Sequence, residues 1–312
     1  MKFIILSLFI MISRLEANVT VDPTMIGPIG QSTSGQMFSF YGATIDDLGL
    51  GLLETGSDLQ IDLSQGFPLQ SMLTDNGSLS ISTNTFSREV FSPEDSPYKH
   101  VYPEADKAVL SRILYGEIWS YFDTDGSVTN LLGTCSIGMC NDGQLEESKI
   151  RGLDFSEWPN PLRMGSEWSF SSGEVKVPGF ESFDSYFANS VDAEGSVITS
   201  AGLFKALRVS RVGIENATFE RMDSIDSSEL FPVPIGMRSE VLEHYWLSPN
   251  GYSVVEIRQE IISYNFEDSS QIWPPDKVTT IFVTTASNEP LNSDFQAAVE
   301  YITWGNIKKG NY

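Results

Sequence analysis

The clearest strand signal of the chain is the segment Gly195-Ser196-Val197-Ile198-Thr199-Ser200-Ala201-Gly202-Leu203-Phe204-Lys205-Ala206-Leu207-Arg208-Val209. Apolar and β-branched residues stand on both sides of residues 200–202, and these small residues suit a tight turn. The stretch therefore predicts a β-hairpin. On its returning strand we expect core side chains at Phe204, Ala206, Leu207 and Val209.

Short extended runs of the same kind recur along the chain. They span residues 78–82, 118–122, 174–177, 253–262 and 278–285. Turn sequences rich in Asp, Asn and Gly lie at residues 75–77, 123–126, 141–143 and 250–251. Runs of β-branched and aromatic residues bounded by such turns indicate antiparallel strands. We predict a mainly β protein with one or two short helices, at residues 104–115 and 294–302.

The first seventeen residues have the pattern of a signal peptide. Lys2 precedes an apolar run at residues 3–12, and Ala17 offers a small residue at a cleavage point before Asn18. The run is too short to span a bilayer of about 30 Å as a helix. No second long apolar stretch follows, so we predict a secreted or periplasmic protein without a transmembrane segment in the mature chain. No cysteine follows the cleavage point, which argues against a lipid anchor.

After this leader, the sequence divides into three segments. Residues 18–37 are small and polar, and form an entry segment. Residues 38–287 form one β-rich domain, in which a sub-boundary near residues 143–155 stays open. Residues 288–312 form a C-terminal tail that contains the second short helix.

The chain is strongly acidic, with 42 Asp and Glu against 19 Lys and Arg and a formal net charge of -23. Such a surface repels the phosphates of nucleic acids and of anionic lipids. We therefore expect no nucleic-acid partner. A glycan, a lipid or another envelope protein stays open as the partner.

Cys135 and Cys140 are the only cysteines of the chain. In an oxidising compartment, a pair this close in sequence is expected to form a disulfide. A structural zinc site would need four Cys or His ligands, and the sequence offers no cluster of that kind.

Asp123 and Asp125 begin a sequence that resembles the start of a calcium-binding loop. The sixth and twelfth positions of such a loop should be Gly and Glu, but here they are Val128 and Thr134. A hairpin turn is the favoured interpretation, and the two aspartates stay the metal candidates of this sequence.

No nucleophile elbow, metalloprotease motif or phosphate-binding loop occurs, so we predict no cofactor and assign no catalytic residue. The only histidines, His100 and His244, lack a partner motif. Trp119, Trp168 and Trp246 are binding candidates, because tryptophan rings on β-sheets can stack on sugars. Their alternative role is to fill the core.

Several motifs together resemble uncharacterised exported proteins of Bacteroidota-like bacteria. These motifs are Thr129-Asn130-Leu131-Leu132-Gly133, Met164-Gly165-Ser166-Glu167-Trp168, residues 195–209 and Tyr245-Trp246-Leu247-Ser248-Pro249-Asn250-Gly251. The resemblance implies an antiparallel curved sheet or half-barrel of the kind found in periplasmic proteins. A sandwich is the other arrangement that we expect for the predicted strands. It supplies no catalytic residue.

The sequence thus favours an exported, soluble, non-enzymatic β protein with a binding or envelope-structural role. One alternative is a carbohydrate- or lipid-binding module, which predicts exposed aromatic rings on a concave sheet or an apolar cavity. The other is a secreted hydrolase that uses carboxylates, which predicts two such groups converging in a cleft.

Overall fold

The computed structural model of the chain describes residues 20–21, 27–48, 54–64, 80–113, 116–124, 128–136, 158–159, 161–172, 180–219, 234–266 and 273–288. Within these ranges β-strands make up nearly all of the regular structure. The helical segments there are α1 (Ile45–Leu48) and a 3₁₀ turn at Pro93–Asp95. No helix in this part of the chain has the length and apolar character needed to cross a membrane.

The prediction of a mainly β fold with a curved sheet is confirmed. The strands are β1 (Thr20–Val21), β2 (Ser32–Tyr41), β3 (Gly56–Asp62), β4 (Ser80–Phe91), β5 (Lys107–Ile113), β6 (Gly116–Thr124), β7 (Val128–Ser136), β8 (Trp158–Pro159), β9 (Leu162–Arg163), β10 (Glu167–Ser171), β11 (Phe180–Thr199), β12 (Gly202–Phe219), β13 (Gly236–Leu247), β14 (Ser253–Asn265) and β15 (Asp276–Ser287). The hairpin predicted at residues 195–209 is also confirmed, because Thr199 at the end of β11 pairs with Gly202 at the start of β12.

Thirteen of these strands form one sheet in the order β10-β11-β12-β13-β14-β15-β2-β4-β5-β6-β7-β8, with β3 beside β11. Neighbours along that order are antiparallel, as short turns between successive strands require. The pairing of β3 with β11 is parallel. Strands β1 and β9 form a separate two-stranded sheet.

The large sheet curves so strongly that its two ends approach each other. Strands β6–β8 lie at one end of the order and β12–β14 near the other, yet side chains from both groups line one cavity. Trp158 of β8 shares a core cluster with Leu207 and Val209 of β12. The sheet remains open, since among the described strands β8 and β10 each pair with a single neighbour.

Neighbouring residues of β12 serve cores on opposite faces of the sheet. Phe204 and Ala206 belong to the main cluster together with Trp246, whereas Leu207 and Val209 belong to a second cluster. Successive side chains of a strand point to opposite faces of the sheet. A run in which both the odd- and the even-numbered residues are apolar must therefore be covered on both faces. The four core residues predicted on this strand are confirmed, with at most 6% of each exposed.

The helix predicted at residues 104–115 is wrong, because Lys107–Ile113 forms β5. This strand pairs with β4 on one edge and β6 on the other. A strand in that position satisfies its backbone donors and acceptors on both sides, which outweighs local helix propensity. Just before it, Lys99 Nζ donates to the carbonyl oxygens of Pro103 at 2.8 Å and Ala105 at 3.0 Å, which stabilises a turn.

Several sequence predictions fall outside the described residues. They are the signal peptide at residues 1–17 with its Ala17–Asn18 cleavage point, the strand at 174–177, the turns at 75–77 and 141–143, and the helix at 294–302. The sheet starts earlier than predicted, since β2 begins at Ser32 inside the predicted entry segment. Strands from both sides of residues 143–155 belong to the same sheet.

Candidate functional site

The candidate site is a cavity of about 430 Å³ between strands β11–β14 and strands β6–β8. We call it the first cavity. Four charged side chains line it: Arg211, Glu215, Glu243 and Arg258. The rest of the lining consists of Phe122, Thr129, Leu131, Trp158, Phe187 and Tyr245. Its volume lies within the range of roughly 300–1,000 Å³ that is usual for ligand sites.

Strand register brings opposite charges together in this cavity. Arg211 of β12 lies opposite Glu243 of β13, which lies opposite Arg258 of β14. Residues in direct register share a face of the sheet. Arg211 Nη1 lies 2.9 Å from Glu243 Oε2, and Arg258 Nη1 donates to Glu243 Oε1. Glu243 is only 2% exposed, and two guanidinium groups neutralise its buried charge.

Two further carboxylates bind to Arg258. Its Nη2 donates to both carboxylate oxygens of Glu215 at 3.2 Å, and to Glu260 Oε1 at 2.9 Å. Burial raises the pKa of Glu215, and the charge of Arg258 opposes that rise. Burial lowers the pKa of Arg258, but the carboxylates around it, Glu243 first, outweigh burial and raise that pKa overall. Below, the Arg–Glu cluster means Arg211, Glu215, Glu243, Arg258 and Glu260.

Aromatic rings stand beside the Arg–Glu cluster. The guanidinium carbon of Arg211 lies 4.3 Å from the ring centroid of Phe187 and 5.8 Å from that of Trp158. Trp158 in turn meets Tyr245 edge to face at 5.7 Å. Burial, followed by the nearby charge of Glu243, raises the pKa of Tyr245, so its hydroxyl stays protonated at neutral pH. The first cavity thus combines ring surfaces, a phenol hydroxyl and fixed charges.

The three tryptophans predicted as binding candidates do not line the first cavity. Trp119 is 8% exposed and packs in a core cluster on β6. Trp246 is fully buried, with the guanidinium of Arg208 5.6 Å from its ring. Trp168 of β10 packs against Trp158, with ring centroids 5.3 Å apart, and lines a separate cavity with Ser169 and Asn189. Core filling, the alternative role, fits Trp119 and Trp246.

Of the metal and disulfide candidates, the structure describes Asp123 in β6 and Cys135 in β7, and neither lines the first cavity. Asp123 pairs with Asn130 in the β6–β7 hairpin, which agrees with the turn interpretation, while Asp125 lies outside the described residues. In the described ranges, no group of three or more His, Cys, Asp or Glu is placed to hold a metal ion. Cys135 is buried in β7, but Cys140 is not among the described residues, so their disulfide stays a prediction.

His244 of β13 points away from the first cavity, because its neighbours Glu243 and Tyr245 point into it. It is 5% exposed. Burial, and then the positive charge of Arg208, lowers the pKa of His244 to about 4. Neither ring nitrogen has a hydrogen-bond partner among the described residues. This histidine is therefore a neutral core residue at physiological pH.

Sequence reasoning missed the residues that build the first cavity. A signal for two of them was present in β12, where Arg211 and Glu215 continue the alternation of Leu207 and Val209 on the same face. Charged residues in phase with core residues indicate a buried polar site. Trp158, by contrast, offers no such signal, because its two-residue strand reaches the cavity only through the curvature of the sheet.

Two solved structures are similar to the chain. One is a proposed lipoprotein from Parabacteroides distasonis, 12% identical, with a TM-score of 0.33, covering 86% of this chain and 99% of that one. The other is a proposed exported protein with a YmcC-like fold from Bacteroides fragilis, 10% identical, with a TM-score of 0.29, covering 87% and 100%. Both organisms are Bacteroidota, the kind of bacteria whose exported proteins the sequence resembles.

No protein-family model matches the chain, and no curated protein matches it. At TM-scores this low the likeness to the two solved structures carries no functional argument. The function proposed below therefore rests on the geometry of the first cavity.

Proposed function

We propose that this chain is an exported, non-enzymatic β protein that binds a carbohydrate in the first cavity. The observation that carries the proposal is that the half-buried rings of Phe122 and Tyr245 line the first cavity together with four charged groups of the Arg–Glu cluster. A sugar presents apolar C–H surfaces and a ring of hydroxyls, so it needs aromatic surfaces together with planar hydrogen-bonding groups. The leader pattern of residues 1–17 and the resemblance to exported proteins support the proposed location.

The charges of the cavity favour a sugar over a lipid. An acyl chain in the first cavity would lie against Glu243 and Arg211 and would offer them no hydrogen bond. The ion pairs already offset part of the cost of covering these charges, but hydrocarbon adds no hydrogen bond of its own. Hydroxyl groups can instead accept from the guanidinium groups and donate to the carboxylates, and hydrogen bonds to charged partners are the stronger ones.

The same carboxylates keep a hydrolase as the second candidate function. Burial raises the pKa of Glu215, as a general acid requires, and Glu243 lies near it through their common partner Arg258. Against this role, Glu243 is held between two guanidinium groups, and Glu215 is also ion-paired. Carboxylates engaged in this way are suited to binding, which is why we place non-enzymatic recognition first.

Binding to a panel of soluble neutral glycans, followed by calorimetric titration, tests the proposal. Tyr245→Leu removes an aromatic ring and a hydroxyl from the cavity. It should lower the affinity for the glycan selected from the panel by about tenfold, the equivalent of roughly 1.4 kcal/mol of binding free energy. Tyr186→Leu is the matched control, since Tyr186 is 53% exposed on β11 and does not line the cavity. A protein that binds no glycan, or a Tyr245→Leu protein that binds as the wild type does, would refute the proposal.

Incubation of the same glycans with the protein separates the two candidate functions. The binding function predicts that the glycans are recovered intact. Hydrolysis that disappears in Glu215→Gln would establish the hydrolase instead.

A further inference from the structure

We propose that the carbohydrate site extends beyond the first cavity and takes a linear oligosaccharide, with successive sugar rings in two adjacent cavities. This inference rests on the proposed function and specifies its ligand. The second cavity has a volume of about 220 Å³. That volume alone is below the roughly 300 Å³ at which ligand sites usually begin. It therefore suits an extension of a larger site better than an independent one.

The two cavities are adjacent, because Phe122 lines both. Register shows that they also share a face of the sheet. Val90 of β4 lies opposite Val109 of β5, which lies opposite Ser120 of β6, and all three line the second cavity. Phe122 follows Ser120 by two residues, so its ring emerges on the same side.

An ion pair forms the second link between the cavities. Arg88 of β4, which lines the second cavity, donates from Nη2 to Glu256 Oε2 of β14 at 2.9 Å. Glu256 lies opposite Tyr245, and it precedes Arg258 by two residues on the same face. Tyr245 and Arg258 both line the first cavity. The Arg88–Glu256 pair thus continues the row of charges from the Arg–Glu cluster into the second cavity.

The second cavity has the chemistry of a sugar subsite. Its polar lining consists of Gln31, Thr33, Arg88, Ser111, Ser120 and Ser253. Hydroxyl and amide groups both donate and accept hydrogen bonds, and so match sugar hydroxyls in any orientation. The first cavity supplies most of the ring surface, and the second supplies mainly hydrogen bonds.

Chain-length dependence of binding tests this inference. The probes are homo-oligomers of glucose, N-acetylglucosamine, mannose and galactose with one, two and four rings, titrated by calorimetry. For the sugar that binds, the four-ring oligomer should bind roughly tenfold or more tightly than the monosaccharide. Equal affinity for one and four rings would overturn the extension and leave the proposed function intact. No binding by any probe would overturn both.

A cavity-filling variant locates the extension. Ser120→Leu places a larger apolar side chain in the second cavity, and should reduce the affinity for four rings to that for one ring while the monosaccharide binds as before. Ser111→Leu fills the same cavity from β5 and serves if Ser120→Leu does not fold. Ser263→Leu, at an exposed position of β14, is the matched control. Undiminished affinity for four rings in a folded Ser120→Leu or Ser111→Leu protein would place the additional sugar rings elsewhere and overturn the inference.

Discussion

Replacing Glu243 by glutamine removes the carboxylate that holds the Arg–Glu cluster together. Glu243 has a side-chain exposure of 3%, and its partner Arg211 one of 9%, so this ion pair is buried. Breaking a buried pair by removing one partner costs about 3–5 kcal/mol, because the other charge stays buried without compensation. The second partner, Arg258, is 34% exposed and keeps Glu215 and Glu260, so it adds little to that cost.

We therefore expect Glu243→Gln to lose about 3 kcal/mol of unfolding free energy, the lower end of that range, since the amide oxygen can still accept one hydrogen bond. Urea denaturation followed by tryptophan fluorescence and by far-ultraviolet circular dichroism measures the change, and coincident transitions test for a single unfolding step. Glu260→Gln is the matched control. Its ion pair with Arg258 is more exposed and should be worth at most about 1 kcal/mol.

A second variant separates lost charge from lost packing. In Glu243→Leu combined with Arg211→Leu, neither charge of the pair remains in the interior. Apolar replacement of a whole buried pair is often neutral or stabilising, so the double variant should be more stable than Glu243→Gln. If Glu243→Gln unfolds at the same urea concentration as the wild type, the two guanidinium groups do not depend on this carboxylate and the reasoning fails.

Three further outcomes follow from the described core. Phe204→Ala should lose about 3–5 kcal/mol of unfolding free energy. The neighbouring residue Lys205 is exposed, so Lys205→Ala should unfold as the wild type does. Equal urea midpoints for the two variants would contradict the core assignment. His244 stays neutral in the folded state with a pKa of about 4, but takes up a proton near pH 6.5 when unfolded, so the stability it contributes is present above pH 6.5 and declines as the pH falls toward 4. His244→Gln should flatten this part of the stability–pH curve, and an unchanged slope in this variant would show that another group titrates. In Gly35→Ala, the added Cβ would collide with the carbonyl oxygen of Val283 and the ring of Phe86. Calorimetry should show a lower melting temperature, because this strain costs roughly 1–3 kcal/mol. An unchanged melting temperature would mean that β2 and β15 can separate freely.

The hairpins and the core of β12 were predictable because they depend on local sequence. A turn such as residues 200–202 and the strands beside it lie within one short window, and the apolar character of Phe204 or Val209 is visible there. Strand β5 was not predictable in the same way. Its residues are compatible with a helix, and only pairing with β4 and β6 on both edges makes them a strand.

The first cavity could not be located from the sequence, because it depends on which face of the sheet each side chain points to and on how the sheet curves. Tyr245 and Trp246 are adjacent and both aromatic, yet one faces the cavity and the other is fully buried in the opposite core. Trp246 was chosen as a binding candidate because it is a tryptophan. The pairing register of β13 would have indicated Tyr245 instead, since it shows which of the two side chains faces the cavity. Trp158 is distant in sequence from Arg211 and Tyr245, the residues it meets at the cavity, so only the curved sheet brings it to the site.

The course of β12 explains why a polar site in this fold calls for a function. Along one face the strand reads Leu207, Val209, Arg211, Gly213 and Glu215, so an apolar core gives way to charges without leaving the interior. A purely structural sheet would gain stability from continuing the apolar pattern, because buried ion pairs are rarely better than well-packed hydrocarbon. Departures from local consistency are expected where a protein binds or reacts. The charges on this face line a cavity beside aromatic rings, and a polar, ring-shaped ligand would engage both features together.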